Sequence, residues 1–120
     1  MFSGCVGITS VTLQATLTAI GDSVFAKCSF TSIVLPSTIV SIGDSAFSST
    51  KLTSFNVPTN EQFTKISATM LMGCEGLTSI TIPNNITVVD RGAFSQCVNL
   101  ATVVMGSSVT EIGNSAFNNT

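Results

Sequence analysis

Residues 71–94 read LMGCEGLTSITIPNNITVVDRGAF, and this pattern of apolar, small and turn-forming residues recurs along the whole chain. Each copy begins at a large apolar anchor that precedes a cluster of small or polar residues. Successive anchors are 23, 22, 24, 23 and 23 residues apart, and they are Phe2, Phe25, Phe47, Leu71, Phe94 and Phe117. Self-similarity at a fixed period of this length is typical of a solenoid. The sequence therefore predicts that residues 1–120 form a single solenoid of about five repeats of 22–24 residues.

The other apolar positions stay in phase with the anchors. A Cys or Thr stands three residues after each anchor, at positions 5, 28, 50, 74, 97 and 120. An apolar triplet follows, as in Leu77, Ile80 and Ile82, and an apolar pair three residues apart closes each copy. One such unit cannot bury its own apolar side, but copies stacked about 4.8 Å apart create a continuous core. We therefore expect equivalent residues to lie in columns.

Each copy is predicted to contribute one short strand at the apolar triplet. Residues 77–82 end in alternating apolar and polar side chains, which is the period of a half-buried strand. Pro83 directly follows the triplet and ends the strand, because proline has no N–H to donate. In residues 43–47, GDSAF, the glycine permits a tight turn, a polar side chain caps the next amides, and Ala-Phe begins a helical turn. The expected fold is an α/β repeat solenoid with one parallel β-sheet face and short helical or 3₁₀ turns opposite.

The third copy departs from the regular spacing. Val57 and Phe63 are six residues apart, whereas the equivalent residues of the other copies are four apart, so the segment 58–62 holds two extra residues. We expect a bulged loop here. It is either a local contact point or an insertion tolerated at the edge of the solenoid.

Composition excludes several classes of function. Only 8% of the residues are charged and the net charge is −2, which leaves no basic surface for nucleic acid or anionic lipid. No apolar run approaches the roughly 18 residues that cross a bilayer, and residues 1–5 lack the features of a signal peptide, so any secretion signal is expected outside this chain. The chain contains no histidine and its six acidic residues are scattered, so we predict no catalytic site and no cofactor.

The cysteines occur one per repeat rather than in metal-binding pairs. There is no Cys-x-x-Cys pair, so zinc-site spacing is absent and we predict no metal site. Stacked side chains run parallel, which holds their Cβ atoms farther apart than a relaxed disulfide requires. We therefore expect buried thiols rather than disulfides, and Thr50 and Thr120 fit the same small slot.

The repeat resembles the BspA-like leucine-rich repeats, also called the Treponema-type class. The matching pattern is Phe-x-x-Cys-x-x-Leu-Thr-x-Ile-x-Ile-Pro-x-x-Ile-Thr-x-Ile-Gly-x-x-Ala-Phe, which residues 25–47 and 94–117 follow most closely. The resemblance spans the whole chain and implies a right-handed leucine-rich-repeat coil. Members of this family are typically microbial surface or secreted proteins implicated in adhesion to host proteins and other cells. The resemblance thus implies an extracellular or cell-surface location.

In the fold that this resemblance implies, the residues between the apolar strand positions point outward on a concave sheet. They are Ser10, Thr12, Ser32, Val34, Ser54, Asn56, Ser79, Thr81, Thr102 and Val104. These ten residues are a candidate binding face for a protein or cell-surface ligand. They include none of the Trp, Tyr or Arg side chains that dominate interface hot spots, and Ser and Thr also simply suit an exposed strand surface.

Two Asn-x-Thr triplets, at Asn85 and Asn118, are candidate glycosylation sites, although chance also yields such triplets in a chain rich in Asn and Thr.

The two ends of the chain are in phase with each other. Residues 1–5 align with residues 116–120, and neither end resembles the polar cap of a free-standing solenoid. We expect the ends to be covered by a longer array or by subunits stacked head to tail. The first case predicts a segment of a surface or secreted adhesion or protein-binding protein. The second predicts a structural subunit of an extracellular filament, with or without glycans.

Overall fold

The described part of the chain, residues 4–120, is built from seven short strands and a series of tight turns. The structure is a computed structural model, and the first predicted anchor, Phe2, lies outside the described residues. In chain order the strands are β1 (Ala19–Ile20), β2 (Ser41–Ile42), β3 (Lys65–Ile66), β4 (Ser79–Thr81), β5 (Val88–Val89), β6 (Thr102–Val104) and β7 (Glu111–Ile112). We number the coils 1 to 5 from the repeats that begin at residues 2, 25, 47, 71 and 94.

Every described strand pairs in parallel with the equivalent residues of another coil. β1 pairs with β2, β5 lies between β3 and β7, and β4 pairs with β6. Lys65 lies opposite Val88, which is the same position one repeat later, and Ile80 lies opposite Val103 in the same way. This register is what stacked repeats of 22–24 residues require, and the fold is therefore a leucine-rich-type coil with parallel strands.

The strand predicted at each apolar triplet forms only in coils 4 and 5, as β4 and β6. The five two-residue strands lie instead at the apolar pair that closes each copy, where the sequence pattern did not predict a strand. A side-chain pattern indicates which residues face the core. A strand also needs a neighbouring backbone segment close enough to form hydrogen bonds with it. The predicted single sheet is therefore corrected to three small ones.

The predicted helical turns are also corrected, because the described residues contain no α-helix and no 3₁₀ turn. Residues with a left-handed backbone recur four apart in the predicted helical segment, as at Ser45 (φ 59°) and Ser49 (φ 57°), and these interrupt a right-handed helix. In each such segment, the N–H groups of alternate residues donate hydrogen bonds to carbonyl oxygens of the next coil. Phe47 N, for example, donates to Met70 O at 3.0 Å.

The equivalent bonds occur at all four junctions between consecutive copies of this segment. We call the segment the turn wall, and it comprises residues 23–28, 45–50, 69–74, 92–97 and 115–120. It is the most continuously hydrogen-bonded part of the described structure. The handedness of the coil stays a prediction.

The core is a set of side-chain columns that run along the stack. The rings of Phe25 and Phe47 stack with centroids 5.5 Å apart, and those of Phe94 and Phe117 stack with centroids 5.3 Å apart. Leu71 occupies the coil between these pairs and is fully buried. Burial of each such side chain contributes about 1.5–3 kcal/mol relative to exposure. Equivalent residues thus lie above one another, as the repeat period predicts.

Gly43, the first residue of its turn, lies close to the coil before it. A Cβ on Gly43 would lie 2.6 Å from the backbone nitrogen of Asp22, and it would overlap the Asp22 carboxylate. Gly43 N donates to Ile20 O at 2.8 Å, so the approach is part of the hydrogen-bonded stacking. Glycine is needed here for space, since its φ is not in the left-handed region.

Gly43→Ala is expected to lower the free energy of unfolding by about 1–3 kcal/mol, because the added methyl group must displace backbone of the neighbouring coil. Urea denaturation followed by far-UV circular dichroism measures this change. Gly21→Ala is the matched control, since a Cβ at this equivalent position meets only Val24 Cγ2 at the ordinary distance of 3.4 Å. Equal destabilisation of the two variants would contradict the close approach.

Candidate binding surface

The structure places all ten residues of the predicted binding face at the surface. We call them the strip: Ser10, Thr12, Ser32, Val34, Ser54, Asn56, Ser79, Thr81, Thr102 and Val104. The apolar residues between them face inward, and Phe55 and Ile80 are 6% and 3% exposed. The strip carries no charged side chain, and its two valines are largely exposed. It offers hydroxyl, amide and methyl groups, which suit a neutral ligand.

A groove crosses the strip between coils 3 and 4. It has a volume of about 370 Å³ and is lined by Ser54, Phe55, Asn56, Val57, Thr59, Ser79, Ile80, Thr81 and Pro83. Four of its lining residues belong to the strip. The sequence pattern did not predict this groove, because the pattern assigns side chains to faces and does not give the distance between neighbouring coils.

The enlarged loop of coil 3 is held by side-chain amides. Asn60 Nδ2 donates to Ser37 O in the preceding coil at 3.1 Å. From the following coil, the Asn85 Nδ2 group lies within hydrogen-bond distance of three loop carbonyl oxygens, those of Pro58 at 2.9 Å, Asn60 at 3.2 Å and Phe63 at 2.7 Å. The loop is therefore clamped from both sides. Its use as a contact point stays a prediction.

The two candidate glycosylation sites differ in accessibility. A glycan would attach to the Nδ2 atom, which Asn85 uses in the loop clamp, and Asn85 is partly buried. Asn118 is exposed in the turn wall. The geometry is therefore more favourable at Asn118, and glycosylation of either residue stays a prediction.

The cysteine slot links consecutive coils through weak hydrogen bonds. Cys74 and Cys97 are fully buried free thiols. Cys74 Sγ donates to Phe47 O at 3.2 Å, and Cys97 Sγ donates to Leu71 O at 3.1 Å. Thr50, which occupies the same slot in coil 3, has its Oγ1 3.3 Å from Cys74 Sγ. The slot therefore takes a small side chain with a hydrogen to donate, and the described residues contain no group of His, Cys, Asp or Glu that could hold a metal.

The family model of the BspA type leucine rich repeat region matches residues 1–120 in six copies. The chain belongs to the BspA-type leucine-rich repeat family. The resemblance predicted from the repeat pattern is thus confirmed. Within residues 4–120, the BspA-type coil has no helix that could cross a bilayer.

Two solved structures are similar to this BspA-type coil. A leucine-rich repeat protein from Bacteroides ovatus ATCC 8483 superposes with a TM-score of 0.88 and 28% identity over 98% of this chain. A leucine rich cell surface protein from Faecalibacterium prausnitzii A2-165 superposes with a TM-score of 0.82 and 30% identity over 93% of this chain. The match covers 30% of each of those two chains. No curated protein sequence matches the chain.

Three cysteine thiols of the BspA-type coil have raised pKa values. Burial raises the pKa of the Cys97 thiol to about 12, and the neighbouring Cys74 adds to this rise through charge repulsion. Burial also raises the pKa of Cys74 and of Cys28. Because the thiolate is the reactive form, the raised pKa values disfavour nucleophilic reactions of Cys28, Cys74 and Cys97 at neutral pH.

The raised pKa of Cys97 predicts that stability falls as pH rises above about 8.5, the ordinary pKa of a thiol. Below that pH the Cys97 thiol keeps its proton in both the folded and the unfolded chain. Between that pH and about pH 12, the unfolded chain releases the proton and the folded chain keeps it. Between neutral pH and about pH 10, the wild type is expected to lose up to about 2 kcal/mol more stability than Cys97→Thr. Urea denaturation in a reducing buffer measures the difference. Identical pH dependence of the two proteins would contradict it.

Proposed function

We propose that this chain is a segment of a cell-surface or secreted protein that binds other proteins through the strip. The observation that supports the proposal most is that ten equivalent, uncharged residues are exposed together on one side of a stacked coil. Leucine-rich repeat domains generally mediate protein binding, and solenoids present extended surfaces for it. The similarity to a protein described as a cell surface protein supports the location.

We propose a binding scaffold rather than an enzyme because the chain lacks histidine and its acidic residues are scattered. It has no histidine to act as a general base. Its buried thiols have raised pKa values, which disfavours nucleophilic catalysis.

The composition of the strip sets the expected strength of binding. Without Trp, Tyr or Arg it has no residue of the types that usually act as hot spots. We therefore expect weak contacts at each coil, and a large gain in binding when many copies are displayed on one surface. Such multivalent contact is what adhesion between cells requires.

Replacing Val34 and Val104 with Asn is expected to weaken binding to cells or matrix proteins several-fold, because the two most exposed apolar contacts of the strip are lost. Beads coated with the chain and counted on intact cells and on immobilised matrix protein measure the effect. The control variant carries Lys51→Gln and Glu75→Gln, two exposed positions outside the strip. Unchanged adherence of the strip variant, with wild-type circular dichroism, would contradict the proposal.

A second candidate function is a filament subunit, which would stack through apolar side chains that are exposed in coil 5. Ile112 is 53% exposed, whereas the equivalent Ile66 of coil 3 is fully buried. Met105 is 40% exposed, whereas the equivalent Ile82 of coil 4 is 1% exposed, and β6 and β7 each have one edge without a strand partner among the described residues. One further coil of the same repeat would cover this surface, whether it belongs to the same protein or to a second copy.

Light scattering of the purified chain over a wide range of concentration separates these possibilities. A filament subunit is expected to grow in mass with concentration, and Ile112→Asp is expected to stop the growth, because a charge would be buried at the junction. Ser107→Asp, at an exposed position of the same coil, is the control. A chain that stays monomeric at every concentration would rule out the filament.

A further inference from the structure

The strand β4 has one edge that no described strand covers, and this edge faces the groove. On its other edge, Ile82 N donates to Val104 O at 2.7 Å and Thr78 O accepts from Thr102 N at 3.3 Å, so residues 78, 80 and 82 bond toward coil 5. Backbone groups of consecutive strand residues point to opposite sides. Ser79 and Thr81 therefore direct their N–H and C=O groups toward coil 3.

Coil 3 does not complete the ladder. The bond equivalent to the one between Ile82 and Val104 would run from Val57 N to Thr81 O. Among the described residues, no backbone hydrogen bond joins residues 53–57 to residues 77–82. The coils still touch just before this stretch, since a Cβ on Gly76 would lie 2.9 Å from Leu52 O. The gap therefore opens along the strand segment itself and forms the groove.

Unpaired backbone groups seldom stay buried in proteins, because each one loses its bond to water without a replacement. The free edge of β4 must therefore face water or a ligand. Free strand edges are the sites at which extended peptides add to a sheet, with main-chain hydrogen bonds supplying the affinity.

We propose that the groove binds an extended, uncharged peptide segment, which adds as a strand to the free edge of β4 through Ser79 and Thr81. This inference rests on the proposed function and names the partner class of the strip. No lining side chain is charged, so a charged segment would lose water without gaining an ionic partner. Phe55 and Ile80 supply an apolar floor for alternate side chains of the peptide.

A neutral carbohydrate fits the groove less well. Sugar rings are commonly held against exposed aromatic rings, and the Phe55 ring is 6% exposed and packs against Phe47 with centroids 5.2 Å apart. The groove therefore offers main-chain donors and acceptors but no aromatic platform.

The test uses capped, uncharged peptides built from Val, Thr, Ser and Asn, titrated onto the purified chain and followed by fluorescence anisotropy. The best binder is then synthesised in two methylated forms. One form carries N-methyl groups on the amides along one edge of the extended peptide, and the other carries them along the opposite edge. Methylation of the bonding edge is expected to weaken binding at least about tenfold, because it removes several main-chain hydrogen bonds, while methylation of the other edge has little effect. Equal effects of the two methylated peptides would overturn the proposal.

Variants of the chain give an independent readout. Thr81→Pro removes the N–H that faces the groove and is also expected to weaken binding about tenfold, although no backbone hydrogen bond among the described residues uses this N–H in the free chain. Thr81→Ala keeps the N–H and should bind as the wild type does. Thr12→Pro, at the equivalent exposed position of coil 1, is the matched control for the proline itself. If Thr81→Pro unfolds the chain, the methylated peptides still decide the question.

The outcomes separate this inference from the proposed function. Binding to cells that is lost in the strip variant but kept in Thr81→Pro would overturn the groove proposal alone. Failure of the wild-type chain to bind any uncharged peptide would also overturn the groove proposal. So would binding of cellohexaose, if it competes with the peptide and is unaffected by Thr81→Pro. A wild-type chain that adheres to no cell or matrix protein would overturn the proposed function as well.

Discussion

Backbone hydrogen bonds between consecutive coils of the turn wall are the interaction on which the remaining structure depends. Left-handed residues such as Ser45 and Ser49 set alternate N–H groups against the next coil, as in the bonds from Ser45 to Ala68 and from Ser49 to Met72. These bonds fix the spacing at which Phe25 and Phe47 stack and at which the cysteine slot reaches the previous carbonyl. Along the apolar triplets, in contrast, β4 and β6 are the only paired strands among the described residues. The wall therefore holds the stack, and the opposite face is left free to present side chains.

Much of this architecture could be predicted from the sequence, because a repeat period carries its own geometry. The spacing of the anchors from Phe25 to Phe117 predicted the columns, and the resemblance to BspA-like leucine-rich repeats implied which side chains of the strip point outward. The turn wall was predicted wrongly as helical, since its left-handed positions are filled by Ser, Lys and Gln as well as Gly, and these residues carry no clear signal of that conformation. The small strands at the closing apolar pairs were missed because two residues are too few to show a period.

Coil 3 shows how a local insertion changes sheet pairing without breaking the stack. β2 and β3 do not pair across it, and the Ser67 hydroxyl group donates to Ile42 O where Gly43 and Gly113 use their backbone N–H. Asn85 then holds the enlarged loop through its side-chain amide. Side chains thus replace ladder bonds at the irregular coil. The groove lies beside this coil, and it depends on the distance between segments 54–57 and 79–82, whose equivalent residues are 25 positions apart in the sequence. A local sequence pattern does not contain that distance.

Each coil of the turn wall donates N–H hydrogen bonds to carbonyl oxygens of its successor and accepts the equivalent bonds from its predecessor. A whole coil can therefore be inserted or deleted with no donor or acceptor stranded at the seam, provided that its neighbours close over it. Unequal recombination between repeats can therefore change the number of coils without changing the packing inside each coil.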